Sequence, residues 1–243
     1  MAQESAEKPL AGQYALVTGA SRGIGAATAM ALANAGAHVV LTARDAKRLE
    51  QVEDDIHNAG GSATIAPLDL GEPDAIARLS VAMSNRWDKL DLLVMSAAFL
   101  PQLGPVTQID PKSFNQAITT NLLATQALLA AFDPLLKRSG DARIVGLTSS
   151  LATVRRAYWG GYAATKAAFE ALLDCYAQEV ERISNIRVAI VDPGATRTEM
   201  RARAYPGEDP QTVKPPETVA ERILALVQED FATGHRERIE AAG

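Results

Sequence analysis

One short segment limits what this chain can fold into. It is the loop Thr18-Gly-Ala-Ser-Arg-Gly-Ile-Gly25, which directly follows an apolar run at residues 14–18. Glycines at 19, 23 and 25 let the backbone turn tightly and let a phosphate approach the main chain. A helix starting there offers free N–H groups and the positive end of its dipole. A glycine loop carries weight only between a strand and a helix, so the rest of the chain has to supply that context.

It does. Short apolar runs at 14–18, 38–43, 64–66, 90–95, 143–148 and 186–191 read as strands. Helical patterns follow them at 19–35, 45–59, 73–87, 111–137, 161–183 and 218–228. Continuous apolar runs suit strands buried on both faces, and strand–helix alternation implies right-handed crossovers and a parallel sheet. No repeat, low-complexity tract or composition break divides residues 1–243, which predicts one doubly wound α/β domain. The least regular stretch, 199–216, is rich in turn formers and is expected to be a substrate lid.

Composition excludes several functions. Lys and Arg number 24 against 29 Asp and Glu, a net charge of −5, which argues against nucleic acid as a partner. The one cysteine, Cys175, cannot form an internal disulfide and is expected to be buried. The three histidines have no metal-ligand spacing, so no metal is expected. Residues 1–8 lack the apolar core of a signal peptide, and no apolar run is long enough to span a bilayer. A cytoplasmic protein is the expectation.

The loop residues Gly19, Ser21, Arg22, Gly23, Ile24 and Gly25 are therefore candidates for holding a dinucleotide pyrophosphate. The end of the second strand reads Thr42-Ala43-Arg44. The acid that would hold adenosine ribose hydroxyls there is missing, and Arg44, with Arg22, suits a 2′-phosphate. NADP(H) is the expected cofactor, with NAD(H) possible. Asp45 is better placed as a helix N-cap. In the second half, Tyr162 and Lys166 share one helix face at i and i+4. An ammonium beside a phenol lowers its pKa and makes a usable acid/base. Ser149 ends a strand, where ligands of parallel sheets bind.

In combination and in this order, the glycine loop, Asn121, Ser149, Tyr162-Ala-Ala-Thr-Lys166 and Pro193-Gly194 closely resemble the short-chain dehydrogenase/reductase family. The likeness runs from about Gly12 to Thr233 and matches the single-domain form of roughly 250 residues. It implies a Rossmann fold with about seven parallel strands and helices on both faces. It also implies hydride transfer between nicotinamide and a carbonyl or secondary alcohol. By resemblance, Tyr162 gives or takes the proton and Ser149 hydrogen-bonds the same oxygen. Lys166 holds the nicotinamide ribose, and Asn121 holds a water linking Lys166 to solvent. Asp69, with Leu70 beside it, matches the adenine contact. Pro193 and Gly194 lie beside the nicotinamide, and Thr198 and the backbone near Thr196 bind its carboxamide. The stretch 196–210 also resembles a bacterial subgroup.

The chain departs from the family pattern in two places. Ser96-Ala97-Ala98-Phe99 stands where Asn-Asn-Ala-Gly is usual, so Ala97 replaces an asparagine and Phe99 a glycine beside the cofactor. The usual apolar last strand is charged, His235-Arg-Glu-Arg238. The resemblance further implies a homodimer or homotetramer through the two long helices, with Leu122, Leu129, Phe169 and Leu173 on their outer faces. Tyr158 and Trp159 either line the substrate space or pack. Arg155 and Arg156 form a solvated turn or meet an anionic substrate. Two other readings remain open, a non-catalytic dinucleotide-binding sensor or scaffold and a sugar-nucleotide epimerase or dehydratase. The second usually needs a larger C-terminal domain and a different glycine loop.

Overall fold

The computed structural model describes residues 8–240, so most of the 1–8 segment lies outside the described residues. The chain runs β1 (Tyr14–Thr18), α1 (Gly23–Asn34), β2 (His38–Thr42), α2 (Ala46–Asn58), β3 (Ser62–Ile65), α3 (Ala75–Ser84) and β4 (Leu92–Met95). It continues with α4 (Pro111–Ile118), α5 (Ala124–Lys137), β5 (Arg143–Leu147), α6 (Gly160–Val180), β6 (Arg187–Asp192), α7 (Glu199–Ala204), α8 (Pro216–Leu226) and β7 (His235–Arg238). The seven strands form one parallel sheet in the order β3-β2-β1-β4-β5-β6-β7. This is the doubly wound Rossmann arrangement that the alternation predicts. The order reverses between β1 and β4, which opens a crevice at the carboxyl edge of the sheet.

Period-two geometry explains why the strands read as unbroken apolar runs. Ala15, Val17, Leu92, Val94, Val145, Leu147, Ala189 and Val191 face one core, with α1, α2 and α8. Leu16, Leu93, Met95, Ile144, Val188 and Ile190 face the other, with α3, α5 and α6. Both faces are covered, so both sets must be apolar. α6 sits very close to the sheet because β5 carries Gly146. A Cβ there would lie 2.3 Å from Leu173 Cδ1 and 2.8 Å from Phe169 Cζ.

Burial corrects the expected outer face of both long helices. Leu129, Phe169 and Leu173 are buried in the second core and are not an outer surface, and Leu122 is half-buried. Leu123 is the exposed leucine. Cys175 is exposed, not buried, because it sits on the solvent side of α6. The charged last strand does form. As an edge strand it has one pairing partner, and its charges are met by side chains: Glu237 by Arg222, Arg236 by Glu170 and Asp174, and Arg238 by Asp192. Among the described residues no helix is long and apolar enough to cross a membrane, and no three metal-ligand side chains converge.

Candidate active site

The glycine loop sits at the mouth of the crevice. Gly19 adopts a left-handed φ of 68°, and a Cβ on it would lie 2.8 Å from Ala97 Cα. A Cβ on Gly25 would lie 2.3 Å from Gly19 O. Both positions demand glycine on steric grounds. Arg22 is the N-cap residue of α1, yet no side chain caps the helix. The first-turn N–H groups are thus left for an anion, which fits a pyrophosphate. Ile24 packs onto the first core, and Ser21 is half-buried in the turn.

At the ends of β2 and β3 lies a cavity of about 610 Å³ lined by Arg44, Leu68, Asp69, Glu72 and Arg78, among others. Arg44 is exposed and forms no salt bridge among the described residues. Asp45 caps α2, accepting from Arg48 N at 3.2 Å. Asp69 Oδ1 accepts from Gly71 N at 2.9 Å and shapes the turn that carries it, and Leu70 packs against the second core. Arg22 is not free. It pairs with Glu199, whose other oxygen takes Arg48 Nη1 at 2.7 Å. Sequence reasoning missed Arg48 and Glu199. Arg48 reads as an ordinary solvated helix residue, and Glu199 is far away in the chain, so no local signal marks the bridge.

Tyr162 and Lys166 lie one turn apart on α6, both buried. Lys166 Nζ donates to Leu147 O at 2.7 Å, two residues before Ser149, and lies 4.5 Å from the Phe169 ring centroid. Burial pulls the Lys166 pKa down to about 8, opposed by the charge of Glu170. Burial, reinforced by Asp192, raises the Tyr162 pKa well above its usual value. The expected lowering by Lys166 is therefore not what this arrangement produces, because desolvation of the phenolate dominates. Tyr162 holds its proton. Ser149 caps a short 3₁₀ turn, Ser150–Ala152, with Leu151 N donating to its Oγ at 3.3 Å.

Asn121 sits in a π-helical segment, Thr119–Leu123, between α4 and α5. The 111–137 pattern therefore contains an extra-wide turn that periodicity does not reveal, a feature frequent at functional sites. Asn121 is 1% exposed. Its Oδ1 accepts from Phe99 N at 2.7 Å, and its Nδ2 donates to Phe99 O at 2.9 Å and Thr165 Oγ1 at 3.0 Å. Its amide is thus engaged with the loop after β4. At the first departure from the family pattern, Phe99 is not among the positive-φ residues, so no left-handed backbone calls for glycine there. The close approach falls at Ala97, whose N donates to Thr18 Oγ1 at 3.2 Å, while that hydroxyl reaches Val94 O.

Beyond β6, Gly194 has φ 62°, and a Cβ there would lie 2.8 Å from Ile239 O. Thr196 Oγ1 donates to Pro193 O at 3.1 Å, and Thr198 Oγ1 caps α7 by accepting from Arg201 N at 3.1 Å. The 199–216 stretch is structured. Arg203 Nη2 donates to Leu100 O at 2.8 Å, and Arg201 forks onto Glu208. Its Met200, Ala204 and Tyr205 pack with Leu100, Trp159 and Tyr162. Trp159 is thus a packing residue in the wall over Tyr162, with its ring 6.2 Å from that of Tyr162 and 5.6 Å from that of Tyr205. Tyr158 is exposed. Arg156 Nη1 donates to the Tyr205 hydroxyl at 2.9 Å, and Arg155 donates to Thr153 O.

Comparison with known proteins agrees with this architecture. The profile of the short chain dehydrogenase family matches residues 13–209. The uncharacterized oxidoreductase YciK of Escherichia coli (strain K12) is 35% identical over 218 residues, covering 88% of this chain and 86% of that protein. A structure described as a short chain dehydrogenase from Shigella flexneri 2a str. 301 complexed with NADP superposes with TM-score 0.89 at 34% identity, covering 96% of this chain and 98% of that one. Another, from Escherichia coli CFT073 complexed with NADPH, gives TM-score 0.89, 34% identity and the same coverage, 96% and 98%. This chain belongs to the short chain dehydrogenase family of oxidoreductases.

Proposed function

We propose that the protein is an NADP(H)-dependent oxidoreductase that interconverts a carbonyl and a secondary alcohol, with Tyr162 as proton donor or acceptor, and that it works as a homodimer or homotetramer. The observation that carries the reading is the buried Tyr162–Lys166 pair on α6, tied by Lys166 Nζ to Leu147 O beside Ser149. When bound, the nicotinamide supplies or accepts the hydride. Everything else falls to the chain. Gly19, Gly23, Gly25 and the uncapped start of α1 hold the pyrophosphate. Arg44 faces the 2′-phosphate from the cavity that Asp69 shares, and Arg22 meets the phosphate once it leaves Glu199. Pro193, Gly194, Thr196 and Thr198 flank the nicotinamide.

In the reductive direction a proton must reach the carbonyl oxygen. Tyr162 keeps its proton because its phenolate is desolvated, which suits a general acid. The Ser149 hydroxyl donates to the same oxygen and steadies its developing charge. Lys166, titrating near 8, can return a proton to the tyrosine side at neutral pH. Asn121 keeps the loop of Ala97 and Phe99 in place as a positioning residue. NADP and NADPH in the two structural relatives support the cofactor choice.

The test is a titration of the purified protein with NADPH and NADH, followed by turnover against a panel of aldehydes and ketones. NADPH is expected to bind tighter, and Arg44→Ala to weaken NADPH about tenfold or more while leaving NADH nearly unchanged. Equal affinities would reject the cofactor choice, and cofactor binding without turnover of any carbonyl would favour a sensor.

A further inference from the structure

The charged last strand has a connection to the site. Arg236 of β7 donates through Nη1 to Glu170 Oε2 at 2.7 Å, and its Nη2 goes to Asp174. Glu170 lies on α6, one turn after Lys166, with a side chain only 9% exposed. A carboxylate this deep is costly unless both oxygens are engaged. Glu170 Oε1 accepts the Thr148 hydroxyl at 2.6 Å in a fully buried hydrogen bond. Thr148 is the residue before Ser149, and its own N–H is held by Val191 O at 2.8 Å. The carboxylate thus joins three things: the strand end that carries Ser149, the helix that carries Lys166 and Tyr162, and a guanidinium from the sheet edge.

We propose that Glu170 is a positioning residue for the reaction, holding Thr148, and with it Ser149, on one side and supplying the counter-charge to Lys166 on the other, while Arg236 sets how much of that charge Lys166 feels. The inference rests on the reading of Ser149 and Lys166 given above. The groups around Glu170 are Lys166 and Asp174 of α6, Arg236 of β7 and the neutral Thr148 after β5. Those around Lys166 are Tyr162, Phe169 and Glu170 of its own helix and the Leu147 carbonyl of β5. Removing the Glu170 charge and removing the Arg236 charge must therefore act on Lys166 in opposite directions. A merely structural bridge has no such sign.

The experiment is an NMR titration of lysine side-chain signals in the full chain, labelled at its seven lysines, with the Lys166 signal assigned by its loss in Lys166→Arg. Glu170→Gln keeps an oxygen acceptor for Thr148 while removing the charge and the acceptor that faces Arg236, so Lys166 is expected to titrate about half a pH unit or more lower. Arg236→Met leaves Glu170 unneutralised, so Lys166 is expected to titrate higher by a similar amount, with Arg236→Lys restoring the wild-type value. Shifts in the same direction, or none in a folded variant, overturn the proposal. If Glu170→Gln does not fold, the sign in Arg236→Met decides alone, and a downward or absent shift overturns it. The titration uses no substrate, so failure to find a reducible carbonyl counts against the oxidoreductase reading and leaves this coupling judged on its own result.

Discussion

Tyr162 and Lys166 show how burial changes what a residue pair does. On an exposed helix the ammonium would dominate its neighbour. Here desolvation acts on both groups and pushes each toward its neutral form, raising the phenol and lowering the amine. Tyr162→Phe keeps the shape and removes the proton, so kcat is expected to fall about 10²–10⁴-fold. NADPH affinity, followed by fluorescence titration, should hold. Unchanged kcat would remove Tyr162 from the chemistry. Lys166 makes a separate prediction about stability. Between about 8 and the ordinary lysine value of 10.5, the unfolded chain holds a proton that the folded chain has released. The unfolded state then binds more protons, so the Lys166 contribution to stability rises with pH across that window. Denaturant unfolding of wild type and Lys166→Met at several pH values should show wild-type stability rising relative to the variant from pH 8 to 10.5. A flat difference would contradict the assignment.

At the scale of elements, the short helix α7 joins otherwise separate parts of the site. Its first residue, Glu199, reaches Arg22 in the glycine loop and Arg48 on α2, and its far end packs through Tyr205 against Trp159. These are exposed ion pairs of small individual worth, which suits a segment that opens and closes. NADPH is expected to slow hydrogen exchange across 199–216, and Glu199→Gln to speed it in the free protein. Exchange as slow as the core without ligand, and unchanged with it, would rule out a lid. The π-helical segment at Asn121 is the second such element. It interrupts a helix whose sequence pattern is continuous, and it turns one amide onto the loop after β4.

For the molecule as a whole, the two long helices present a surface quite unlike the one their leucines suggest. With Leu129, Phe169 and Leu173 in the core, the solvent side of α6 carries small residues, Ala164, Ala171 and Cys175, before Gln178 and Glu179 near its end, and Leu123, at 56% exposure, stands out on the neighbouring segment. Small residues let two helices approach closely, and an exposed leucine among them favours pairing with a second copy. Light scattering at micromolar concentration is expected to give at least a dimer, and Leu123→Arg to shift it toward monomer. A wild-type monomer would contradict this. The edge strand β7 presents a charged outward face, and charge on an edge discourages strand-to-strand association. Any further assembly is therefore expected through side chains and not through sheet extension.

Local and periodic information was legible in the sequence. The strands, the glycine loop, the Asp45 cap and the Tyr162–Lys166 spacing all follow from steric and hydrogen-bonding rules that act within a few residues, and they determined the doubly wound sheet and the place of its crevice. What only the tertiary structure decided depends on residues far apart in the chain. Gly146 admits α6 so closely that Phe169 and Leu173, expected outside, lie inside. Asn121 and Phe99 are 22 residues apart, Glu199 and Arg22 are 177 apart, and Arg236 and Glu170 are 66 apart. No periodicity records such pairs, because each is set by where the sheet brings its strand ends together. The same holds for the protonation of Tyr162 and Lys166, since the burial that governs both exists only once the sheet and α6 have closed on each other.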